Sequence, residues 1–179
     1  MELKGSKTEA NLLAAFAGES QARNKYTFYA SQAKKEGYEQ ISAIFTETAN
    51  NEKEHAELWF KYLHGGAIGK TPDNLVDAAS GEHYEWTEMY KEFAEVAQEE
   101  GFTEIANTMR LIATVEKSHE ERYKKLIQNL EEDIVFKAGE ETVWVCRNCG
   151  YIHVGKAAPS LCPACKHPQA YFERRAENY

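Results

Sequence analysis

Glutamate followed three residues later by histidine occurs at Glu52-Lys53-Glu54-His55 and again at Glu116-Lys117-Ser118-His119. On a helix this spacing puts both side chains on one face, so the carboxylate can bridge two metal ions while the imidazole caps one of them. A lone Glu-x-x-His is weak, because charged helices produce it often on solvated faces. A second constellation lies near the C-terminus, where Cys146-Arg147-Asn148-Cys149 and Cys162-Pro163-Ala164-Cys165 form two C-x-x-C knuckles 12 residues apart. Each knuckle presents two thiolates through a tight turn, and together they make a tetrahedral S₄ site for zinc or iron. The chain has four cysteines, and in a reducing compartment such close pairs read as ligands rather than disulfides.

The elements that position the first constellation are four segments with apolar residues at alternating spacings of three and four, the pattern of bundle helices with one buried seam. Ser6 with Glu9 makes a capping box before the first helix, residues 7–36, and Gly37 stops it. The second helix runs over 39–63, the third from Ser80 to Gly101, and the fourth from Thr103 to Leu130. Tight turns make antiparallel hairpins of helices one and two and of three and four. The middle connection, His64 to Ala79, holds Gly65, Gly66, Gly69 and Pro72. Ten extended residues cover ~33 Å, enough to run the length of a bundle, so the expected fold is mainly α: a ferritin-like four-helix bundle with one long crossover. A small knuckle-bearing β domain follows, beginning with the strand-like Val143-Trp144-Val145. The expected domains are residues 1–138 and 139–179.

The hairpins repeat each other at an offset of 64 residues, as in Tyr26/Tyr90, Gly37/Gly101, Ala49/Ala113, Glu52/Glu116 and His55/His119. Both Glu-x-x-His motifs fall on seam positions, and the preceding helices add Glu19 on one side and Glu82 and Glu85 on the other. Five glutamates and two histidines are thus expected to point into one apolar interior. Unpaired buried carboxylates cost several kcal/mol each and repel one another, so this interior requires cations. Two divalent or trivalent ions meet the need, and carboxylate with imidazole suits iron or manganese. Glu19 pairs with Glu82 at an offset of 63, and Glu85 has no glutamate counterpart. A π-bulge in the third helix, or a shifted helix boundary, would absorb the slip. Tyr26 and Tyr90, about two turns from the ligands, either hydrogen-bond to them or pack the seam.

The net charge of −8 and pI near 5.3 argue against a nucleic-acid partner, which demands a basic face. There is no apolar run of membrane-spanning length and no signal-peptide core at the N-terminus, so a cytoplasmic location is expected. Residues 143–179 hold five Lys/Arg against two Asp/Glu, leaving the first 142 residues strongly acidic. The two parts therefore attract.

Over essentially its whole length the chain resembles the rubrerythrins. The likeness rests on Ala17-Gly18-Glu19-Ser20-Gln21-Ala22-Arg23, Glu52-Lys53-Glu54-His55, Gly81-Glu82-His83-Tyr84-Glu85, Glu116-Lys117-Ser118-His119 and Cys146-Arg147-Asn148-Cys149-Gly150-Tyr151. This resemblance implies a non-haem di-iron peroxidase that reduces hydrogen peroxide to water, and it decides iron over zinc for the cysteines. It implies two irons in the bundle, with Glu52 and Glu116 bridging, Glu19 and Glu82 terminal, His119 on one iron, and His55 and Glu85 alternating on the other. One further iron would sit on Cys146, Cys149, Cys162 and Cys165 and pass electrons in from a reductase or rubredoxin. A homodimer or larger homo-oligomer is expected, with electrons crossing between subunits. Two other functions fit parts of the pattern: a ferroxidase or iron-handling protein, and an interaction protein built on a zinc ribbon.

Overall fold

A computed structural model describes residues 2–178. The elements are α1 (Lys7–Lys35), α2 (Glu39–Leu63), α3 (Thr71–Tyr84), a π-helical turn (Glu85–Met89), α4 (Tyr90–Glu99), α5 (Thr103–Glu131), β1 (Lys137–Cys146), β2 (Ile152–Ala157), a 3₁₀ turn (Gln169–Tyr171) and β3 (Phe172–Arg174). With α3, the π turn and α4 taken as one interrupted helix, the architecture is four long helices followed by a small sheet. The chain divides into two compact units, the first ending at Lys70 and the second beginning at Thr71.

Local chemistry sets the helix ends. Ser6 Oγ accepts the Glu9 backbone N–H at 3.1 Å, while the Glu9 carboxylate reaches back to the Gly5 N–H at 2.6 Å. At the other end of α1, Gly37 adopts φ +85°, so that Tyr38 N–H reaches Ala33 O at 2.9 Å. The second hairpin repeats this stop, with Gly101 at φ +90° and Phe102 N–H on Ala97 O at 2.8 Å. These are Schellman ends, which need a left-handed residue.

The third helix starts at Thr71, nine residues before the expected Ser80. Pro72 explains the difference. Proline in a first helical turn loses no hydrogen bond, because that N–H has no partner there anyway, and Asp73 beside it suits the positive end of the helix. The connection therefore shortens to residues 64–70.

In the first unit α1 packs on α2 along Ala30, Ala33, Ala49 and Ala56, with the buried Ser42 hydroxyl donating to Ala30 O at 2.8 Å. In the second unit Ala79, Ala94, Ala97 and Ala106 are buried. Small side chains let the helices approach closely. The larger stripe residues stay part-covered, Ile41 at 47% and Ile105 at 50% exposure, because two helices alone bury only the line along which they touch. The single apolar interior expected from the stripes is thus described as two stripes, one in each unit.

The C-terminal module is a three-stranded antiparallel sheet in the order β2-β1-β3. Its core is Trp144, Cys146, Ala158, Cys162 and Phe172. Trp144 is fully buried and its indole N–H donates to Gly155 O at 2.9 Å.

Gly37→Ala and Gly101→Ala are each expected to cost about 1–2 kcal/mol, the penalty of a left-handed non-glycine residue. Neither site has an atom within 4 Å of an added Cβ, so the loss is conformational. Urea unfolding with an unchanged m-value would show it.

Candidate metal centres

The first unit brings together Glu19 from α1 with Glu52 and His55 from α2, their ligand atoms lying within 4.8 Å of one another. His55 Nδ1 is 2.8 Å from Glu52 Oε2 and 3.8 Å from Glu19 Oε1. The second unit does the same with Glu82 from α3 and Glu116 and His119 from α5. There His119 Nδ1 is 2.8 Å from Glu116 Oε2 and 3.6 Å from Glu82 Oε2. The sequence repeat is therefore a repeat of geometry, carried by the shared face of each Glu-x-x-His and by a glutamate from the neighbouring helix.

Glu85 opens the π turn. Burial pushes its carboxyl upward, with Glu82 and Glu116 adding to the shift and His119 opposing it. The field thus places Glu85 beside the second set. Tyr90 N–H donates to Glu85 O, the i→i+5 bond of the π turn, and this inserted residue is the physical form of the one-residue slip in the repeat. The Tyr90 phenol is also raised, by burial and then by Glu116 and Glu85, so it neighbours the same carboxylates. Tyr26 lies against Tyr29 and Phe45, at centroid distances of 6.3 and 6.2 Å.

The four cysteines converge, with Cys146 Sγ 3.7 Å from Cys165 Sγ and Cys149 Sγ 3.7 Å from Cys162 Sγ. Both knuckles share one backbone device. Gly150 N–H bonds Cys146 O at 2.8 Å with Gly150 at φ +75°, and Lys166 N–H bonds Cys162 O at 2.9 Å with Lys166 at φ +62°. The His167 backbone N–H draws the Cys165 thiol down to about 5. At Cys149 the Tyr151 N–H pulls the same way, but the neighbouring thiols and burial outweigh it and leave that thiol near 12. Four sulfurs converging at these distances are an arrangement that a cation completes.

Two groups beside these centres had no sequence signal. Glu120, which the sequence reading did not single out, is 3% exposed. It accepts from Trp86 Nε1 at 2.5 Å, contacts His83 Nδ1 at 3.0 Å and pairs with Lys124. Lys124, then Trp86 and His83, outweigh its burial and hold its carboxyl down at about 2. His83 is exposed and is a member of this network through Nδ1. Of the other histidines, His64 stacks on Phe60 at 3.9 Å and His167 sits against Tyr171 at 4.4 Å.

The donor sets fit their metals. Carboxylates with imidazoles at these separations match a hard-to-borderline ion pair, and four convergent thiolates match a tetrahedral ion. Helical hairpins carrying such sets beside a four-thiolate module define a non-haem iron protein. The rubrerythrin profile matches residues 10–127, and the rubredoxin-like domain of rubrerythrins matches residues 144–173. The rubrerythrin of Porphyromonas gingivalis is 57% identical, covering 99% of this chain and 94% of its own. Rubrerythrin-1 of Clostridium acetobutylicum is 54% identical over 99% and 98%, and the rubrerythrin of Nitratidesulfovibrio vulgaris 51% over 99% and 98%. The chain belongs to the rubrerythrin family. Its four cysteines are the ligands of one iron, and its carboxylate–histidine sets are those of a di-iron site.

Cys162→Ser is expected to remove the metal of the C-terminal module and unfold its sheet, because Cys162 is both a ligand and a core residue. Metal analysis should show the loss of one equivalent per chain. Circular dichroism should keep its helical signal.

Proposed function

We propose that this chain is a peroxidase that reduces hydrogen peroxide to water, with electrons entering through the four-cysteine iron. The carrying observation is the pairing, on one chain, of two carboxylate–histidine sets with a thiolate site of the one-electron type. Iron held by these residues supplies electrons and Lewis acidity to the bound oxygen atoms. The protein residues hold and neutralise it. In this reading the two sets would hold the iron together, with Glu52 and Glu116 as shared ligands and Glu19, Glu82 and His119 as terminal ones. His55 and Glu85 would be the pair that exchanges, since a neutral imidazole suits a less charged reduced pair and an added carboxylate a more charged oxidised one. Burial and then the charges of Glu116 and Glu85 keep the Tyr90 phenol protonated beside them. The O–O bond breaks as two electrons and two protons arrive, giving two waters. The electrons come singly from a reductase or rubredoxin through Cys146, Cys149, Cys162 and Cys165.

The same reading places the protein in a reducing, cytoplasmic compartment, where paired cysteines stay available as ligands. It makes the working unit at least a dimer, with the basic module of one protomer delivering electrons to the acidic helices of another.

The test is anaerobic reduction of the iron-loaded protein, followed by stopped-flow mixing with peroxide or with dioxygen. Oxidation by peroxide should be at least about tenfold faster, which is a barrier difference of about 1.4 kcal/mol. Faster oxidation by dioxygen would favour the ferroxidase reading. A colourless cysteine site holding only zinc would favour an interaction protein. Glu85→Ala should keep its iron yet slow peroxide reduction by about tenfold or more, whereas Glu52→Ala and Glu116→Ala should lose iron itself. Equal iron loss in all three variants would remove the special role of Glu85.

A further inference from the structure

The residues immediately after the four candidate ligands of the second set are His83, Trp86, Lys117 and Glu120, and all four meet. Consecutive helical positions point about 100° apart, as 3.6 residues per turn requires, so they lie behind the ligand face. Glu120 is the hub: buried, bonded to Trp86 Nε1 at 2.5 Å and to His83 Nδ1 at 3.0 Å. The His83 and Trp86 rings meet edge to face at 5.5 Å, and Lys117 Nζ stands 5.5 Å from the centre of the Trp86 ring. The positions after Glu82 and Glu85 are thus tied from behind to the Glu120 carboxylate, which also pairs with Lys124, and the position after Glu116 reaches the group through the Trp86 ring.

The first half of the repeat has nothing equivalent. Ala56 occupies the position of Glu120, Ala22 that of Trp86 and Ser20 that of His83, with only Lys53 matching Lys117. The network is confined to the half that carries the extra carboxylate and the π turn. A π turn surrenders regular i→i+4 bonding and is rare for that reason. Here Trp86, the residue after Glu85, is gripped from α5, while His83 is gripped one turn earlier.

We infer that Glu120 is a positioning residue for Glu85: by holding Trp86 and His83 on either side of it, Glu120 fixes the π turn and so sets where the Glu85 carboxylate reaches. This inference rests on the reading of Glu85 as an iron ligand. It gives a role to a buried acid that belongs to neither ligand set.

Two measurements on the full-length protein test it. In the metal-free protein, hydrogen exchange at the backbone amides of residues 85–90 should quicken by about tenfold or more in Glu120→Ala, with Glu120→Gln intermediate because its amide oxygen still accepts from Trp86. Amides of α1 and α2 should not change. In the iron-loaded protein, the reduction potential of the carboxylate-bound iron should rise in Glu120→Ala, because Glu85 then stabilises the ferric state less. This rise should vanish in the Glu85→Ala background, the non-additivity expected of residues acting as a unit. An equal rise in both backgrounds would make Glu120 a plain electrostatic neighbour and overturn the inference, as would unchanged exchange or an unchanged potential. If Glu120→Ala fails to fold, Trp86→Phe removes the same hydrogen bond while keeping the ring, and the same outcomes apply. Neither readout needs peroxide, so a wild type that ignores peroxide would defeat the peroxidase reading while leaving this one standing.

Discussion

The cost of desolvating carboxylates governs this molecule. Glu19, Glu52, Glu82 and Glu116 sit part-buried on helix stripes that otherwise carry Phe, Ile, Met and Trp. An apolar residue at any of these positions would pack better and repel nothing. Without a cation, each set's internal relief is a Glu–His contact at 2.8 Å and a longer approach from the second glutamate. Metal ions turn the liability into bonding, because carboxylates that repel one another across a low-dielectric space all attract a shared cation. The Glu-x-x-His spacing, the glutamate from the neighbouring helix and the alanine lines that let the helices approach all follow from that requirement.

Duplication solved the problem once and then departed from its own solution. Two hairpins end in the same left-handed glycine stop and place Glu, Glu and His in matching geometry. The second hairpin carries one residue more between Glu82 and α4, accommodated as a π turn, and this residue register creates room for Glu85. Its raised carboxyl follows from burial, with Glu82 and Glu116 adding to the shift. The second set thus has an additional acid for which the first set has no counterpart.

Much of this was legible in the residues, and the failures have specific causes. Both Glu-x-x-His motifs, the four cysteines and the glycine stops are local patterns with fixed spacing, and each lies on the helix, knuckle or helix end that its spacing implies. The slip between Glu19/Glu82 and Glu52/Glu116 showed that something was inserted, although spacing alone does not separate a π turn from a shifted boundary. The start of α3 was misjudged because Pro72 and nearby glycines resemble a loop, when Pro is favoured in a first helical turn. Glu120 was missed because Glu120 and Lys124 at i, i+4 look like an ordinary solvated pair. Its partners Trp86 and His83 lie 34 and 37 residues away, and no helical period connects them.

The C-terminal module shows the same dependence in smaller form. Five residues make its buried core, and two of them, Cys146 and Cys162, are ligands. A sheet of three short strands lacks the apolar area to offset its own chain entropy. Trp144 and Phe172 supply the largest share of what there is, and the Arg174 guanidinium covers the Trp144 ring at 5.8 Å. The knuckles must therefore be closed by metal for the fold to persist, and the residue that completes each turn accepts a left-handed backbone, even where it is Lys166 rather than glycine. Metal binding and the stability of the module reside in the same four sulfurs. A substitution at Cys146 or Cys162 would therefore alter the folding of the module as well as its metal binding, because each is both a ligand and a core residue.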